Sequence, residues 1–390
     1  MNILSLDWQS YCSDQAEEAM ERMGHKIYKF AHLDYQLRKS EAFEKAFYEF
    51  VDDNHIDIAF SYNYYPVLAE SCKNKNIKYI SFLYDSPYVM LYSYTLMYPT
   101  NYVFVFDSSL FKQFRDGGLT NVYYMVLPTD PLQYEKQSEK FKNSARLKSD
   151  ISFMGQLYNE EHLFYDKMEA VGDEYLNGYL RGVIEAQLKV YGYNFADKVI
   201  TPDIRKRLYR AFPYDVQSPG VEPDNYIYAD YLINRKATSI ERNRFITAIG
   251  ERFPDRLKLF TWNEKATFVG VKNMGIATYE NEMPVVFHES KINLNISLRS
   301  IKTGIPLRCM DIMGSHGLLL SNYQQDLVDA FIPGEEFVCY ESEEDMLNKI
   351  DYLLSHEAER KEIAENGYQK VKNEYNFETV FSRIFEIVLG

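Results

Sequence analysis

The chain is 390 residues long and carries 57 acidic against 43 basic side chains, for a net charge of −14. That balance disfavours nucleic acid or an anionic membrane surface as the main partner, while leaving local basic patches able to serve a phosphate, and the length is ample for two or three domains. Four scattered cysteines (Cys12, Cys72, Cys309, Cys339) with no C-x-x-C pair, and seven histidines without ligand spacing, argue against a disulfide framework or a metal site.

In chain order, Asn2 to Leu6 reads as a first strand. A helix capped by Ser13 or Asp14 follows, with Ala16, Ala19, Met20 and Met23 on one face and Gly24 as its stop. Ile27 to Phe30 completes a β-α-β start. The first turn, Asp7-Trp8-Gln9-Ser10-Tyr11-Cys12, lacks the glycine fingerprint of dinucleotide sites, so no nucleotide is expected there. Asp7 is a candidate base and Trp8 a stacking surface for an acceptor; the competing reading makes Asp7 a turn cap and Trp8 a packed side chain. After a helix around 40–53, strands at Ile56 to Phe60, Ile77 to Leu83 and Val103 to Phe106 deliver Asn63, Asp85 and Asp107 to one edge of a parallel sheet. Pro87 fixes its loop, and Asp107, followed by Ser-Ser, is best read as a helix cap.

Residues 130–149 are charged and weakly apolar, an interdomain connection or a surface helix. Ile151 to Met154 opens a second sheet, and the Gly155-Gln156 turn lets backbone approach a ligand, one wall of a diphosphate pocket. A mostly helical insertion occupies about 161–222. A helix from Tyr226 to Phe253, a strand from Leu257 to Thr261, a strand or loop near Thr267 to Val271 and a helix from Met283 to Glu289 come next. Trp262 directly follows a strand and either covers a base or packs on the insertion. Leu347, Ile350 and Leu354 mark one late amphipathic helix, and Phe381, Ile384, Phe385 and Val388 the last.

The most informative stretch runs from His288 to Asp326. A strand (Ile292, Leu294, Ile296) leads into a polar loop from Ser297 to Pro306, then a short helix with Arg308 and Asp311, then Gly317 and a strand from Leu318 to Leu320. Such a unit presents loop amides and a helix N-terminus at a sheet's carboxyl edge, where an anion is favoured. Lys302 and Arg308 flank Thr303-Gly304, so two cations, a hydroxyl and a glycine backbone are expected to close around a diphosphate, with Asp311 taking ribose hydroxyls. The plainer alternative is an i, i+3 surface ion pair between Arg308 and Asp311. The 34 tyrosines suit sugar stacking, but for most of them compositional bias and packing suffice.

From Ser290 onward the motifs SKINLN, R-x-x-D-x-x-x-x-x-G, LLLSNYQQDL and NGYQKV resemble the C-terminal glycosyltransferase domain of the spore maturation protein CgeB family. Upstream, Asp150 to Gln156 with Tyr158-Asn159-Glu160 resembles the opening of that domain, and Tyr84-Asp85-Ser86-Pro87 the bacterial domain that often precedes it. The resemblance implies α/β GT-B architecture, two Rossmann-like domains facing across a cleft. Residues 1–135 with a returning helix at about 375–390 would take the acceptor, a glycan, protein or small molecule. Residues 148–372 would take the nucleoside diphosphate sugar, with a UDP-linked donor expected, no separate cofactor and no metal. It further implies that Thr278 and Tyr279, with Gly275, read the base. Where relatives carry two glutamates separated by seven residues, Thr303 stands at the first position and Asp311 at the second, which leaves the stereochemical outcome open. An inverting reaction would need Asp85 or Asp7 as base. An NDP-sugar epimerase of the same architecture and a non-catalytic sugar or partner binder are the alternatives. No basic leader and no run of eighteen apolar residues is present, so a cytoplasmic protein is expected.

Overall fold

A computed structural model describes residues 1–141, 144–159, 164–221 and 225–390. It divides into two units, one of residues 1–128, 215–224 and 375–390 and one of residues 129–214 and 225–374. The first unit starts β1 (Asn2–Leu6), α1 (Ser13–Arg22), β2 (Lys26–Phe30), α2 (Glu41–Asn54), β3 (Ile58–Tyr62), α3 (Pro66–Lys75) and β4 (Lys78–Phe82). It continues with β5 (Asn101–Val105), α4 (Ser108–Asp116) and β6 (Val122–Tyr124). The six strands order as β2-β1-β3-β4-β5-β6, all parallel. Strand order therefore reverses between β1 and β3, and buried apolar runs such as Ile3, Leu4, Ile58, Phe60, Val103 and Phe104 read as two-sided parallel strands should.

One local expectation fails here. Neither Ser13 nor Asp14 caps α1: Cys12 is the N-cap, at φ 65, with no side-chain cap bond. Gly24 does end the helix, at φ +87, a conformation only glycine reaches without strain.

The second unit comprises α5 (Pro131–Phe141), β7 (Ser149–Met154), α6 (Phe164–Val171), α7 (Glu174–Gln187), α8 (Pro202–Ala211), a π-helical turn (Ile227–Ile233) and α9 (Asn234–Arg252). Then come β8 (Leu257–Phe260), β9 (Val271–Asn273), α10 (Met283–Glu289), β10 (Ser290–Asn295), α11 (Leu307–Gly314), β11 (Leu319–Asn322) and α12 (Gln325–Ala330). β12 (Val338–Tyr340), α13 (Glu343–Ser355) and α14 (Glu357–Glu374) complete it. Its sheet is β12-β11-β10-β7-β8-β9, again all parallel, with the reversal between β7 and β10. The core gathers Ile151, Phe153, Leu259, Ile292 and Leu320 from one face of the sheet, with Ile246 packed on them from α9. A separate apolar cluster, with Leu180, Ile184, Ile204 and Leu232, gives the α6–α8 insertion its own core.

Two chain paths differ from the sequence reading. Residues 130–149, read as a connection or a surface helix, begin with a helix, α5, which packs on α10 and α14 and belongs to the second unit. The insertion does not stay with that unit to its end. Its final segment joins the first, where Gly220 bridges Ser93 and Val221 N–H donates to the Tyr92 carbonyl (2.9 Å). The long helix expected from Tyr226 opens as a π turn, and α9 proper begins at Asn234. The last helix, α15 (Phe377–Leu389), returns to the first unit against α1, with Phe381 beside Phe60 (5.6 Å) and Phe385 beside His25 (4.7 Å). Among the described residues, no helix is long and apolar enough to cross a membrane.

Candidate active site

Parallel sheets bind ligands outside the carboxyl ends of the strands, at the point where strand order reverses. In the second unit that point is flanked by the turn after β7 and the loop after β10. Gly155 donates its N–H to Phe260 O (3.0 Å) and has only van der Waals room: an added Cβ would lie 3.4 Å from the Phe153 ring and 3.5 Å from Arg242 Nη1. Arg242, 9% exposed, ties the two walls together. Its Nε and Nη2 donate to Ile296 O (3.1 and 2.5 Å) and Nη1 to Gln156 O (2.5 Å). Burial lowers the pKa of this guanidinium, and Arg308 nearby pushes the same way.

Arg308 extends from α11 over the Phe287 ring (5.3 Å) to Met154 Sδ (3.4 Å), so it stands at the end of β7. Arg308 and Asp311 are not a surface pair. The Asp311 carboxylate is 1% exposed and 3.9 Å from Arg308. It is not open to a ribose either. Its Oδ1 accepts from the hydroxyls of Tyr134 (3.0 Å), Tyr279 (3.1 Å) and Thr129 (3.3 Å). Burial raises the Asp311 pKa against the opposing pull of Arg308 and the hydroxyls. An anion taken out of water persists only where it is paired and hydrogen-bonded, and this ring of donors supplies that.

The loop after β10 is held from two sides. Arg299 N–H donates to Thr238 Oγ1 (2.9 Å), and its guanidinium forks onto Glu241 at 2.9 and 2.6 Å. Its Nη1 reaches Val190 O of the insertion (2.7 Å), and the Tyr191 ring lies 4.4 Å from the guanidinium carbon. Burial works against the Arg299 charge, and Glu241 more than offsets it, so the pKa is raised. Asn322 Oδ1 receives Ser297 N–H (2.8 Å), fixing the loop to the end of β11.

Lys302 does not join Arg308. It pairs with Asp197 of the insertion (3.8 Å) and lines a hollow with Tyr191, Tyr193, Arg299 and Tyr323, a set without Arg308. Thr303 O accepts Asp326 N–H (3.0 Å), and Gly304 is buried. Gln156 is exposed, and Trp262 is 60% exposed just past β8. Thr278 lies just before α10, whose N-cap is Glu282, with its N–H on Glu282 Oε2 (3.0 Å) and its carbonyl accepting from Met283 N–H (2.9 Å). Gly275, at φ +71, gives its carbonyl to Thr261 N–H (3.0 Å).

In the first unit the carboxyl edge carries Asp7, Asn63, Asp85 and Asp107. Asn63, buried and at φ +60, binds Asp85 twice, Nδ2 to the carboxylate (2.8 Å) and Oδ1 from the backbone N–H (3.1 Å). Asp7 accepts Gln9 N–H (3.0 Å), the geometry of a turn cap. Asp107 caps α4 through Ser109 and Leu110. Trp8 donates to Tyr62 O (3.1 Å) and stacks with Tyr35 (6.5 Å), so its ring is tied into the fold.

Sequence reasoning missed Arg242, Arg299, Glu241 and the hydroxyl ring. One signal was available: Asn234, Thr238, Glu241 and Arg242 recur on α9 at the spacing normally kept for core residues, and all are buried.

Residues 236–386 match the family described as "Glycosyl transferase-like". No curated protein sequence matches the chain. Among solved structures, the chain is similar to a glycosyltransferase from Rickettsia africae ESF-5 (14% identity, TM-score 0.52), covering 99% of this chain and 97% of that one. It is similar to a sucrose-phosphate synthase from Thermosynechococcus elongatus (11% identity, TM-score 0.52), covering 99% and 98%. It is also similar to Anabaena Alr3699/HepE in complex with UDP and glucose (11% identity, TM-score 0.51), covering 100% and 99%. At these identities the likeness is one of fold, and the fold is GT-B, α/β with two Rossmann-like domains.

Proposed function

We propose that the protein is a glycosyltransferase of the CgeB type that moves a sugar from a nucleoside diphosphate, UDP-linked as in the Anabaena complex, to an acceptor hydroxyl. The observation that carries this reading is the pair of arginines, Arg308 and Arg242, at the strand reversal between β7 and β10, within the stretch that matches the glycosyl transferase-like family. Arg308 meets the leaving diphosphate and neutralises charge as it develops, with no metal required. Arg242 holds both walls at the spacing the phosphates need. Asp311 orients Arg308 rather than touching ribose, since its oxygens are already enclosed. Trp262 covers the base, and the Gly275–Tyr279 backbone reads it. The N-terminal unit takes the acceptor. Asp85, oriented by Asn63, is the base if the reaction inverts, ahead of Asp7, which is engaged with Gln9.

The test is a thermal-shift panel of UDP, GDP, ADP, CDP and UDP-glucose. A ligand at a hundredfold its Kd adds about 2.7 kcal/mol of stability. A shift with a diphosphate, and release of that diphosphate from its sugar conjugate in the presence of acceptor, are expected; no shift with any member refutes the reading.

A further inference from the structure

The diphosphate assigned to Arg308 carries more charge than one guanidinium offsets, so a second cation at the same edge is worth seeking. Lys302 is turned to Asp197. Arg242 has three backbone bonds and acts as a brace. Arg235 is different. It lies seven residues before Arg242 on α9, two turns along the same face. Both guanidiniums rest on the Tyr158 ring, Arg235 at 5.5 Å and Arg242 at 5.1 Å, and Arg235 is also 5.6 Å from the Tyr231 ring. Tyr158, at φ +53, belongs to the turn after β7 that carries Gly155.

Among the described residues, Arg235 has no carboxylate partner and no hydrogen bond, and its Nε is buried without an acceptor. Its neighbour Lys236, by contrast, is paired with Asp166 (2.6 Å). A half-buried guanidinium flanked by two aromatic faces is held in place and aimed, and among the described residues its in-plane donors are unspent. That state suits a residue awaiting an anion. Planar, bidentate recognition of a phosphate is what a guanidinium so placed offers.

We propose that Arg235, clamped by Tyr158, is the second phosphate ligand of the donor site and closes on the diphosphate opposite Arg308. The inference rests on the donor reading above and extends it to a residue outside the loop after β10. The test uses the full chain, with UDP, UMP and inorganic pyrophosphate titrated calorimetrically into wild type, Arg235→Gln, Arg235→Lys and Lys236→Gln. Arg235→Gln should weaken UDP and pyrophosphate by roughly 10-fold to 100-fold, the loss of one or two charge-assisted bonds. UMP should weaken less, and Lys236→Gln, which removes the same charge one residue away, should change nothing. Arg235→Lys keeps the charge and stem without the fork; it should fall in between and serves as the readout if the glutamine variant does not fold. UDP binding to wild type with Arg235→Gln unchanged overturns this inference and leaves the donor reading standing. Equal losses in Arg235→Gln and Lys236→Gln also overturn it, since only bulk charge would then matter. Failure of wild type to bind UDP or pyrophosphate overturns both.

Discussion

The Arg299–Glu241 pair is the strongest anchor of the loop after β10, and Glu241→Gln isolates it. Both side chains are nearly out of water, 9% and 3% exposed, so solvent screening cannot soften the change. In the wild type two guanidinium donors meet two carboxylate oxygens at 2.9 and 2.6 Å, while Tyr191 adds a hydroxyl at 2.6 Å. The amide keeps one acceptor, turns the other into a donor facing a donor, and leaves the guanidinium uncompensated. Removing one partner of a buried pair costs about 3–5 kcal/mol, and a domain of this size loses about 2–4 °C per kcal/mol, so the second unit's transition should fall by roughly 6–20 °C. Differential scanning calorimetry is the assay, reading the unit that moves because a two-unit chain need not melt in one step. The double variant Glu241→Leu/Arg299→Met should regain most of that loss, since replacing both charges removes the buried orphan. Amide exchange over 296–305 should rise in the single variant. A drop below about 1 kcal/mol would place the pair in the class of solvated surface bridges, and the claim that it fixes the loop would fail.

Other outcomes follow from the same geometry. Because burial raises the Asp311 pKa above 3.8, the folded state binds that proton more tightly than the unfolded chain does, so this group's stability contribution falls as pH rises from 3.8 through the folded value. Asp311→Asn should therefore flatten that slope, its advantage over wild type growing with pH and then levelling; urea melts across pH 3.5–8 that stay parallel would refute this. Arg308→Ala should weaken the donor by roughly tenfold to a hundredfold, the value of a charge-assisted bond, read as Kd for UDP. Asn63→Ala should lower turnover far more than UDP affinity, because it frees Asp85 without touching the second unit; equal losses in kcat and UDP affinity would argue against a base at Asp85.

How much of this was readable from the residues depends on how each position announces itself. The strands were legible from their apolar residues: Ile151, Phe153 and Met154 open one, and Ile292, Leu294 and Ile296 alternate with Asn293 and Asn295 in another. Arg308 was legible as a cation on the helix that follows the β10 loop, and its place at the end of β7 agrees with that position. Lys302, in the loop itself, looked equally suited, and its different fate depends on Asp197, more than a hundred residues away in an insertion whose fold no local pattern specifies. Asp311 was placed on the right helix but in the wrong surroundings, since Thr129 and Tyr134 reach it from one distant segment and Tyr279 from another.

The same logic explains why the cations on α9 were invisible. A helix is read by its apolar stripe, and α9 places Asn234, Thr238, Glu241 and Arg242 where that stripe should be, so the period finds a helix and says nothing of its purpose. Each of these polar groups takes a partner brought in by folding, namely Arg299, Ile296 O, Gln156 O or Asn194, and Asn234 and Thr238 add bonds one turn back, to Asp230 and to Asn234 O. A buried polar stripe costs stability unless every member is met, so its presence on the helix behind the strand reversal marks a demand other than packing. Holding two loops rigidly enough for a charged ligand to find preorganised donors is such a demand, and Arg235, on the same helix with no acid to meet it among the described residues, is where that demand is left open.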